Sequence, residues 1–406
     1  MSRSGATRSV EVMNIHFDSS LRVRVIGALT SLATVSVLLV GCTPSGSISA
    51  PTVTPSPEVV ARLSDAGQTA IDAGATAFVS TVYDEEHISS VALGTADRDS
   101  GREAETSDEF QIGSTTKTVT ATVALQLVEE GVLTLDDPID RWVPGLVPGS
   151  DAITLRMLMQ HTSGLFDYTT DEDFALGLLN DPSQPYAPRD LIAVATAHEP
   201  TFAPGAGWAY SNTGYIVVGV ILEEATGESV ASLIDERVIQ RLELEHTYWA
   251  GDSEFTGNHL NGYYRTQPGG SDYVDVSGYS IPWADAAGAL ISTTTDLGAF
   301  ERALQSGKLL EPATLAEMRT TVEIPDTGGQ YAYGLGIMRI TTPHGYVWGH
   351  TGATLGYLTQ AWTSEDGTRS IVENVSTGAS TPAGPDTDID SAASAAASSL
   401  FDLLND

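Results

Sequence analysis

The strongest constraint on this chain is a serine and a lysine placed three residues apart at the head of an apolar segment. Ser114 and Lys117 precede apolar residues that recur at helical spacing over residues 119–128, and Gly131 ends the pattern. This predicts a largely buried helix with Ser114 near its N-terminus and Lys117 one turn later on the same face. The chain has only two lysines among 406 residues. A lysine kept inside such a helix indicates a side chain that can lose its proton, which arginine does not do.

This spacing is typical of one kind of chemistry. A serine hydroxyl beside an amine that can become neutral is the nucleophile–base pair of one class of acyl-transfer enzymes. A helix N-terminus next to the serine also favours a developing oxyanion. The motif is weak when it stands alone, because serine is common in this chain, and the scarcity of lysine also fits genomic codon bias. The interpretation therefore depends on the rest of the sequence.

Composition argues against several other function classes. The formal net charge of −34 argues against nucleic acid or an anionic membrane surface as a partner. The histidines show no paired spacing of metal ligands, so we expect no metal site and no cofactor. The sequence has no Gly-x-Ser-x-Gly motif, which argues against the α/β-hydrolase fold.

The N-terminus has the pattern of an address rather than of a folded element. An apolar run over residues 25–40 follows two arginines and is short for a membrane-spanning helix. The run leads into Cys42, the only cysteine, in a sequence similar to a bacterial lipobox. We therefore expect a lipoprotein signal peptide over residues 1–41, a lipidated Cys42 with a flexible tether over residues 42–58, and a protein held outside the cytoplasm on the cell membrane by that lipid alone. An ordinary secretory signal is the alternative.

The rest of the chain, residues 59–406, has the pattern of one catalytic domain. Strand-like segments lie within residues 76–94 and 331–375, and one strand is predicted over residues 331–340. A mostly helical segment covers about residues 136–286, and a helix closes the chain. We predict the α/β class, with a central antiparallel sheet flanked by helices, a mostly helical lobe, and the active site between the two.

Two further motifs follow the serine and lysine in order. They are Tyr210-Ser211-Asn212 and His350-Thr351-Gly352. Together the three motifs resemble the S-x-x-K, Y-x-N and K/H-T-G boxes of the penicillin-recognising serine hydrolases, which include class C β-lactamases and serine D-alanyl-D-alanine carboxypeptidases. The resemblance covers essentially the whole chain after the tether and implies a β-lactamase/transpeptidase-like fold.

The resemblance implies a role for each matching residue. Ser114 is the nucleophile that forms an acyl-enzyme, and Lys117 and Tyr210 share the proton transfers; the sequence leaves open which of the two is the resting base. Asn212 is expected to bind the substrate amide and to help hold Lys117. The backbone N–H groups of Ser114 and Ala353 are expected to form the oxyanion hole.

The third motif bears on the substrate. His350, Thr351 and Gly352 are expected to bind it, but this chain has histidine where most β-lactamases of the group have lysine. His350 holds a substrate carboxylate only when it is protonated, and otherwise acts as a neutral donor. Carboxypeptidases of the group often use an arginine near this strand, and Arg339 is the candidate here. Strand alternation puts Met338 and Arg339 on opposite faces, so Arg339 facing solvent is the alternative.

The favoured function is a D-alanyl-D-alanine carboxypeptidase-like serine hydrolase that acts on the stem peptides of the cell wall. A β-lactamase, or an esterase or amidase of the same fold, is the alternative enzyme. A penicillin-binding sensor that is acylated without turnover is the non-enzyme alternative. The expected partners are small peptide or ester substrates, with β-lactams as substrates or inhibitors, and no nucleic acid.

Overall fold

The computed structural model describes residues 54–405 except 85–86, 182–183, 251–254, 280, 379 and 382–383. The predicted signal peptide, Cys42 and most of the tether lie outside the described residues. No helix in the described part of the chain is long and apolar enough to cross a membrane.

The described elements alternate between strands and helices along the chain. The strands are β1 Ala77–Tyr83, β2 Ile88–Asp97, β3 Arg102–Glu103, β4 Phe110–Gln111, β5 Tyr248–Trp249, β6 Tyr263–Arg265, β7 Tyr273–Asp275, β8 Leu290–Ser292, β9 Val322–Glu323, β10 Tyr331–Tyr333, β11 Met338–Thr342, β12 Gly345–Ala353, β13 Leu358–Ser364, β14 Ser370–Val375, β15 Ser380–Thr381 and β16 Gly384–Pro385. The helices are α1 Pro57–Asp72, α2 Thr116–Glu129, α3 Leu155–Met159, α4 Glu172–Asn180, α5 Pro188–Thr196, α6 Asn212–Thr226, α7 Val230–Ile234, α8 Gln240–Leu242, α9 Asp285–Gly288, α10 Thr294–Gln305, α11 Pro312–Met318 and α12 Thr387–Ser398.

A nine-stranded sheet forms the centre of the molecule. Its strand order is β3-β2-β1-β14-β13-β12-β11-β10-β9. Each neighbouring pair is antiparallel, as in β1 against β14 and β12 against β13. The first and last parts of the chain therefore meet in one sheet, and the segment between them forms the mostly helical side. This confirms the predicted α/β class with an antiparallel sheet flanked by helices.

Side-chain alternation in the strands places an apolar core on each face of the sheet. Phe78 in β1 belongs to the buried cluster that also contains Leu63 of α1 and Ala396 of α12. Its neighbour Val79 belongs to the other cluster, together with Phe300 of α10. The sheet is thus covered by helices on both faces.

Helix α2 is buried almost all round, and this brings its threonines into contact with the loops around it. Twelve of its 14 residues are buried. Its threonine hydroxyls have carbonyl partners: Thr118 donates to Gly336 O and Thr120 to Ala286 O, each at 2.8 Å. A buried hydroxyl without a partner costs free energy, so these bonds stabilise the position of α2 against the turn at Gly336 and against helix α9.

The prediction of a single strand over residues 331–340 is wrong in the number of strands. The segment forms two strands, β10 and β11, which pair as an antiparallel hairpin. The connection runs through Gly336, which has a φ of 76°, a backbone conformation that favours glycine. The turn resets the side-chain alternation at β11, and this decides which residues of that strand face the cleft.

Candidate active site

Ser114 and Lys117 lie where the central helix meets the sheet. Ser114 lies in a short 3₁₀ turn, Gly113–Thr115, directly before α2. Lys117 lies in the first turn of α2 and is fully buried. Its Nζ lies 2.9 Å from Ser114 Oγ. The structure therefore brings the two residues of the first motif into direct contact.

The amine of Lys117 has two further partners, and both are pure acceptors. Nζ lies 2.7 Å from Asn212 Oδ1 and 2.7 Å from Ala287 O. Burial lowers the pKa of Lys117 to about 7, against the opposing effect of the nearby Asp167. A neutral amine donates its two hydrogens to the two acceptors, which leaves its lone pair for the hydroxyl proton of Ser114.

Tyr210 lies beside this pair with its hydroxyl buried. Its ring centroid is 5.1 Å from Lys117 Nζ. Burial raises the pKa of Tyr210 well above its usual range, although the nearby Ser114 hydroxyl opposes the rise. Although Ser114 is near, none of the described residues lies in good hydrogen-bond geometry with the Tyr210 hydroxyl. Tyr210 is therefore a neutral phenol near pH 7 and can give or pass on a proton.

Asn212 is held by an aspartate that the sequence analysis missed. Its Nδ2 donates to Asp167 Oδ2 at 3.1 Å and to Thr169 Oγ1 at 3.2 Å. The structure thus places Asn212 against Lys117, but both of its N–H groups point to neighbours within the protein. Asp167 comes soon after the His-Thr-Ser-Gly phrase at residues 161–164, and nothing in its local sequence distinguishes it from the many other acidic residues.

His350 is fully buried in β12, and both ring nitrogens have partners. Nδ1 contacts the carbonyl oxygen of Thr351, which accepts only, so Nδ1 carries the hydrogen. Nε2 then accepts from the Tyr333 hydroxyl at 2.7 Å. Burial, together with the charge of Lys117, lowers the pKa of His350 to about 3. His350 is therefore neutral near pH 7 and offers no positive charge to a substrate.

The end of β12 packs against the turn that carries Ser114. A Cβ atom on Gly113 would lie 2.8 Å from Ala353 N, and one on Gly352 would lie 1.9 Å from Ile112 O. Gly113 also has a φ of 50°, so glycine is required there for both conformation and space. This close approach brings the backbone of Ala353 beside Ser114, where an oxyanion hole is expected. Thr351 lines the same cleft.

The structure does not bring Arg339 to this site. Met338 lines the cleft, whereas the Arg339 guanidinium lies over the Tyr346 ring at 4.5 Å. The two residues lie on opposite faces of β11, as strand alternation requires. The expected cationic partner for a substrate carboxylate is thus replaced by a thioether.

A cavity of about 500 Å³ opens beside Ser114. Its walls include the aromatic residues Tyr168, Trp208, Trp283 and Tyr333. Its charged lining residues are Asp167 and the exposed Asp326, and no lysine or arginine is found among the described lining residues. The described residues also contain no group of ligands that fits a metal ion. The cleft therefore suits an apolar side chain and a neutral or cationic substrate better than an anionic one.

A serine hydroxyl in contact with a buried amine that can lose its proton is the arrangement of a serine hydrolase. Residues 56–397 match the Beta-lactamase family, and the chain belongs to that family. This confirms the resemblance seen in the three sequence motifs.

The chain resembles characterised proteins whose names indicate different functions. The chain is 27% identical over 291 residues to Penicillin-binding protein 4* of Bacillus subtilis (strain 168), covering 66% of this chain and 60% of that protein. It is 36% identical over 162 residues to Esterase EstB of Burkholderia gladioli, covering 37% of this chain and 41% of that protein. The chain therefore spans less than two thirds of the length of these relatives.

Solved structures give matches over more of the chain. A D-stereospecific amidohydrolase from Streptomyces sp. is 35% identical with a TM-score of 0.75, covering 82% of this chain and 97% of that one. D-amino acid amidase from Ochrobactrum anthropi SV3 has a TM-score of 0.74 at 22% identity, covering 84% of this chain and 99% of that one. The second match shows the likeness of fold alone.

Proposed function

We propose that this protein is an amidohydrolase that cleaves amides or esters of D-amino acids through an acyl-enzyme on Ser114. The observation that carries this proposal is the cleft wall at β11 and β12. Met338 and a neutral His350 lie there, and the described residues of this wall offer no cation for a substrate carboxylate. The 35% identity to the D-stereospecific amidohydrolase over most of both chains supports the same substrate class.

The chemistry begins with proton transfer from Ser114 Oγ to the neutral amine of Lys117 across 2.9 Å. Oγ then attacks the substrate carbonyl carbon, and the negative charge that forms on the carbonyl oxygen is stabilised by the backbone N–H groups of Ser114 and Ala353. Removing one oxyanion-hole donor from a serine hydrolase typically costs about 3–4 kcal/mol of transition-state stabilisation. The intermediate collapses as the carbon–nitrogen bond breaks.

Tyr210 and Lys117 complete the turnover. The leaving amine takes a proton from Lys117, relayed by the neutral Tyr210 hydroxyl, and departs. A water molecule then attacks the acyl-enzyme ester, and the neutral Lys117 amine accepts its proton. The acid product leaves, Ser114 regains its proton, and Lys117 is again neutral. In this scheme Lys117 is the resting base, because burial keeps the Tyr210 phenol protonated.

The D-alanyl-D-alanine carboxypeptidase interpretation is the second candidate, favoured by the three intact motifs and the penicillin-binding relative. It requires recognition of the terminal carboxylate. The described cleft residues offer the acidic Asp326 and the apolar Met338 instead of a cation. A β-lactam also carries a carboxylate, so the same argument disfavours β-lactamase activity and stable penicillin labelling.

The test compares substrates that differ only in charge. The purified protein is incubated with D-phenylalanine amide, L-phenylalanine amide, an N-acylated D-alanyl-D-alanine and the same dipeptide with a carboxamide terminus, and products are measured by chromatography. We expect the D-amide to be cleaved faster than the L-amide, and the carboxamide dipeptide faster than the free acid. The Ser114→Ala variant controls for contaminating activity. Preferred cleavage of the free acid would restore the carboxypeptidase interpretation.

The predicted lipid anchor at Cys42 stays a proposal. It rests on the sequence around Cys42, and Cys42→Ser is expected to move the full chain from the membrane to the soluble fraction of a cell extract. If the variant still sediments with membranes, the anchor lies elsewhere.

A further inference from the structure

The carboxylate of Asp167 lies at the wall of the cleft and contacts Asn212, a hydrogen-bond partner of Lys117. Asp167 precedes a short 3₁₀ turn, and its Oδ1 accepts from Thr169 N at 3.1 Å and from Thr169 Oγ1 at 2.9 Å. It also accepts from Asn212 Nδ2, at 3.3 Å to Oδ1 and 3.1 Å to Oδ2. One carboxylate therefore joins the turn at residues 168–170 to the first residue of α6.

This contact decides the orientation of the Asn212 amide. A carboxylate only accepts hydrogen bonds, so the NH₂ end of Asn212 must face Asp167. The oxygen end then faces the other way and accepts from Lys117 Nζ at 2.7 Å. If the amide were turned round, an N–H group would face the Lys117 amine and the amide oxygen would face a carboxylate. Both contacts would be lost.

Asp167 also differs in charge from the other groups around Lys117. Tyr210, Tyr215, His161 and His350 surround the amine, and burial raises the pKa of each of these phenols and lowers the pKa of each imidazole. All four are therefore neutral near pH 7. Burial also raises the pKa of Asp167, but hydrogen bonds from Thr169 and the charge of Lys117 oppose that rise, and the Asp167 charge in turn raises the pKa of Lys117 against burial.

We infer that Asp167 is a positioning residue that acts through Asn212 to aim the Lys117 amine at Ser114. It occupies the Asn212 N–H groups together with Thr169, so Asn212 serves the lysine rather than the substrate amide. The lysine is then held by two acceptors, Asn212 Oδ1 and Ala287 O, with its third direction toward Ser114 Oγ. This inference rests on the proposed roles of Ser114 and Lys117.

Two variants remove the charge of Asp167 but keep a residue that can cap the turn at residues 168–170. Asp167→Asn and Asp167→Ser both remove the charge, and both residues are good N-terminal caps, so each can keep the turn at residues 168–170. The matched control is Asp171→Asn. Asp171 likewise accepts a backbone N–H, from Phe174, but contacts His198 rather than the catalytic group.

The readout is the rate of Ser114 labelling by a fluorophosphonate probe between pH 5 and 9, with melting temperatures to confirm folding. We expect both Asp167 variants to label at least about 10-fold more slowly, since the loss of a hydrogen bond to a charged group typically weakens an interaction by about 10- to 100-fold. We also expect the midpoint of their acid limb to move about 1 pH unit lower, because an opposing charge is lost. The Asp171→Asn variant should keep the wild-type profile.

Two results would overturn the inference: a folded Asp167 variant with the wild-type rate and midpoint, or the same change in Asp171→Asn. If Asp167→Asn does not fold, Asp167→Ser carries the test. If wild type itself is not labelled on Ser114, the proposed function fails. If wild type is labelled and the Asp167 variants match it, only the role of Asp167 fails.

Discussion

Lys117 and His350 are two buried bases beside the same serine, one on helix α2 and one on strand β12. Burial depresses the pKa of both, to about 7 for Lys117 and to about 3 for His350. The difference lies in their neighbours. Lys117 has the charge of Asp167 to oppose desolvation, whereas His350 faces a tyrosine hydroxyl, a carbonyl and the charge of Lys117 itself.

The comparison shows that proton chemistry and substrate charge recognition are separated in this cleft. The α2 side holds a group that titrates near neutral pH. The cleft face of β11 and β12, where Met338 and His350 lie, holds no charge at neutral pH. An enzyme built this way can activate its serine without a permanent cation at the substrate end, which favours amides and esters over acids.

The largest expected effect comes from making the charge of the α2 side permanent. Lys117→Arg places a guanidinium that cannot become neutral, so the base is lost and kcat for D-phenylalanine amide should fall by about 10³-fold or more. The matched control is Lys308→Arg, which changes the only other lysine, an exposed one. Steady-state rates of the two variants at pH 8 make the comparison. Substantial turnover by Lys117→Arg would show that a permanent cation suffices.

The pH dependence tells which of the two bases titrates during acylation. Lys117 must be neutral to accept the serine proton, so kcat/KM should rise about tenfold per pH unit below 7 and level off above about pH 8. If His350 were the titrating base, the rise would lie near pH 3 instead. The profile is measured with an uncharged ester substrate so that ionisation of the substrate does not contribute. A flat profile between pH 5 and 8 would contradict the assignment to Lys117.

A smaller effect should follow from adding charge to the β11 side. Met338→Arg places a guanidinium on the cleft face, where it can meet a substrate carboxylate. The ratio of cleavage of free-acid to carboxamide dipeptide should rise by about 10-fold or more, since a charge-assisted hydrogen bond contributes about 1.5–3 kcal/mol.

The chain offers a control for this switch on the same strand. Arg339→Met changes the neighbouring residue, which lies on the other face over Tyr346, so it should leave the ratio unchanged. An equal shift in both variants would mean that general charge, rather than position, sets the preference. No shift in a folded Met338→Arg variant would contradict the assignment of this wall to substrate recognition.

The sequence predicted those contacts of the site that follow from the spacing of residues close together in the chain. Ser114 and Lys117 share a helix face, and that follows from three residues of separation. The motifs around Tyr210 and His350 were identified through the family resemblance, and the structure places both beside Ser114. The antiparallel sheet followed from the strand patterns at the two ends of the chain.

The remaining features depend on tertiary contacts that spacing does not encode. Asp167 is one acidic residue among 53, and only the packing of its turn against α6 sets it apart. Alternation showed that Met338 and Arg339 face opposite ways, but the phase was fixed by the turn at Gly336. The protonation of His350 depends on complete burial, which the motif does not reveal.

Two buried carboxyls outside the cleft can be compared with Lys117. Burial shifts the pKa of each, but no nearby charge among the described residues opposes that shift. Glu301 in α10 and Glu373 in β14 are buried, and their oxygens have no well-aligned hydrogen-bond donor among the described residues, although the nearby Ser80 hydroxyl opposes the effect of burial on Glu373. Burial raises the pKa of each to about 8 from an ordinary value of 4.5. The folded state therefore holds these protons more tightly than the unfolded state. The free energy of unfolding should fall as the pH rises from about 5 to about 8 and then level off.

Replacing one of these carboxyls by an amide should reduce the fall in the free energy of unfolding at high pH and leave activity unchanged. This is the smallest of the expected effects. Glu373→Gln should melt at least about 2 °C higher than wild type at pH 9, with a smaller difference or none at pH 5. The matched control is Glu323→Gln, since Glu323 is an exposed residue of β9 and its amide should show no such gain. Thermal melts at the two pH values decide the outcome. An equal change for Glu323→Gln would mean that the loss of one negative charge, rather than burial of Glu373, sets the melting temperature. A lower melting temperature for Glu373→Gln at pH 9 would mean that Glu373 is charged in the folded protein and has a stabilising partner, as Lys117 has in Asp167.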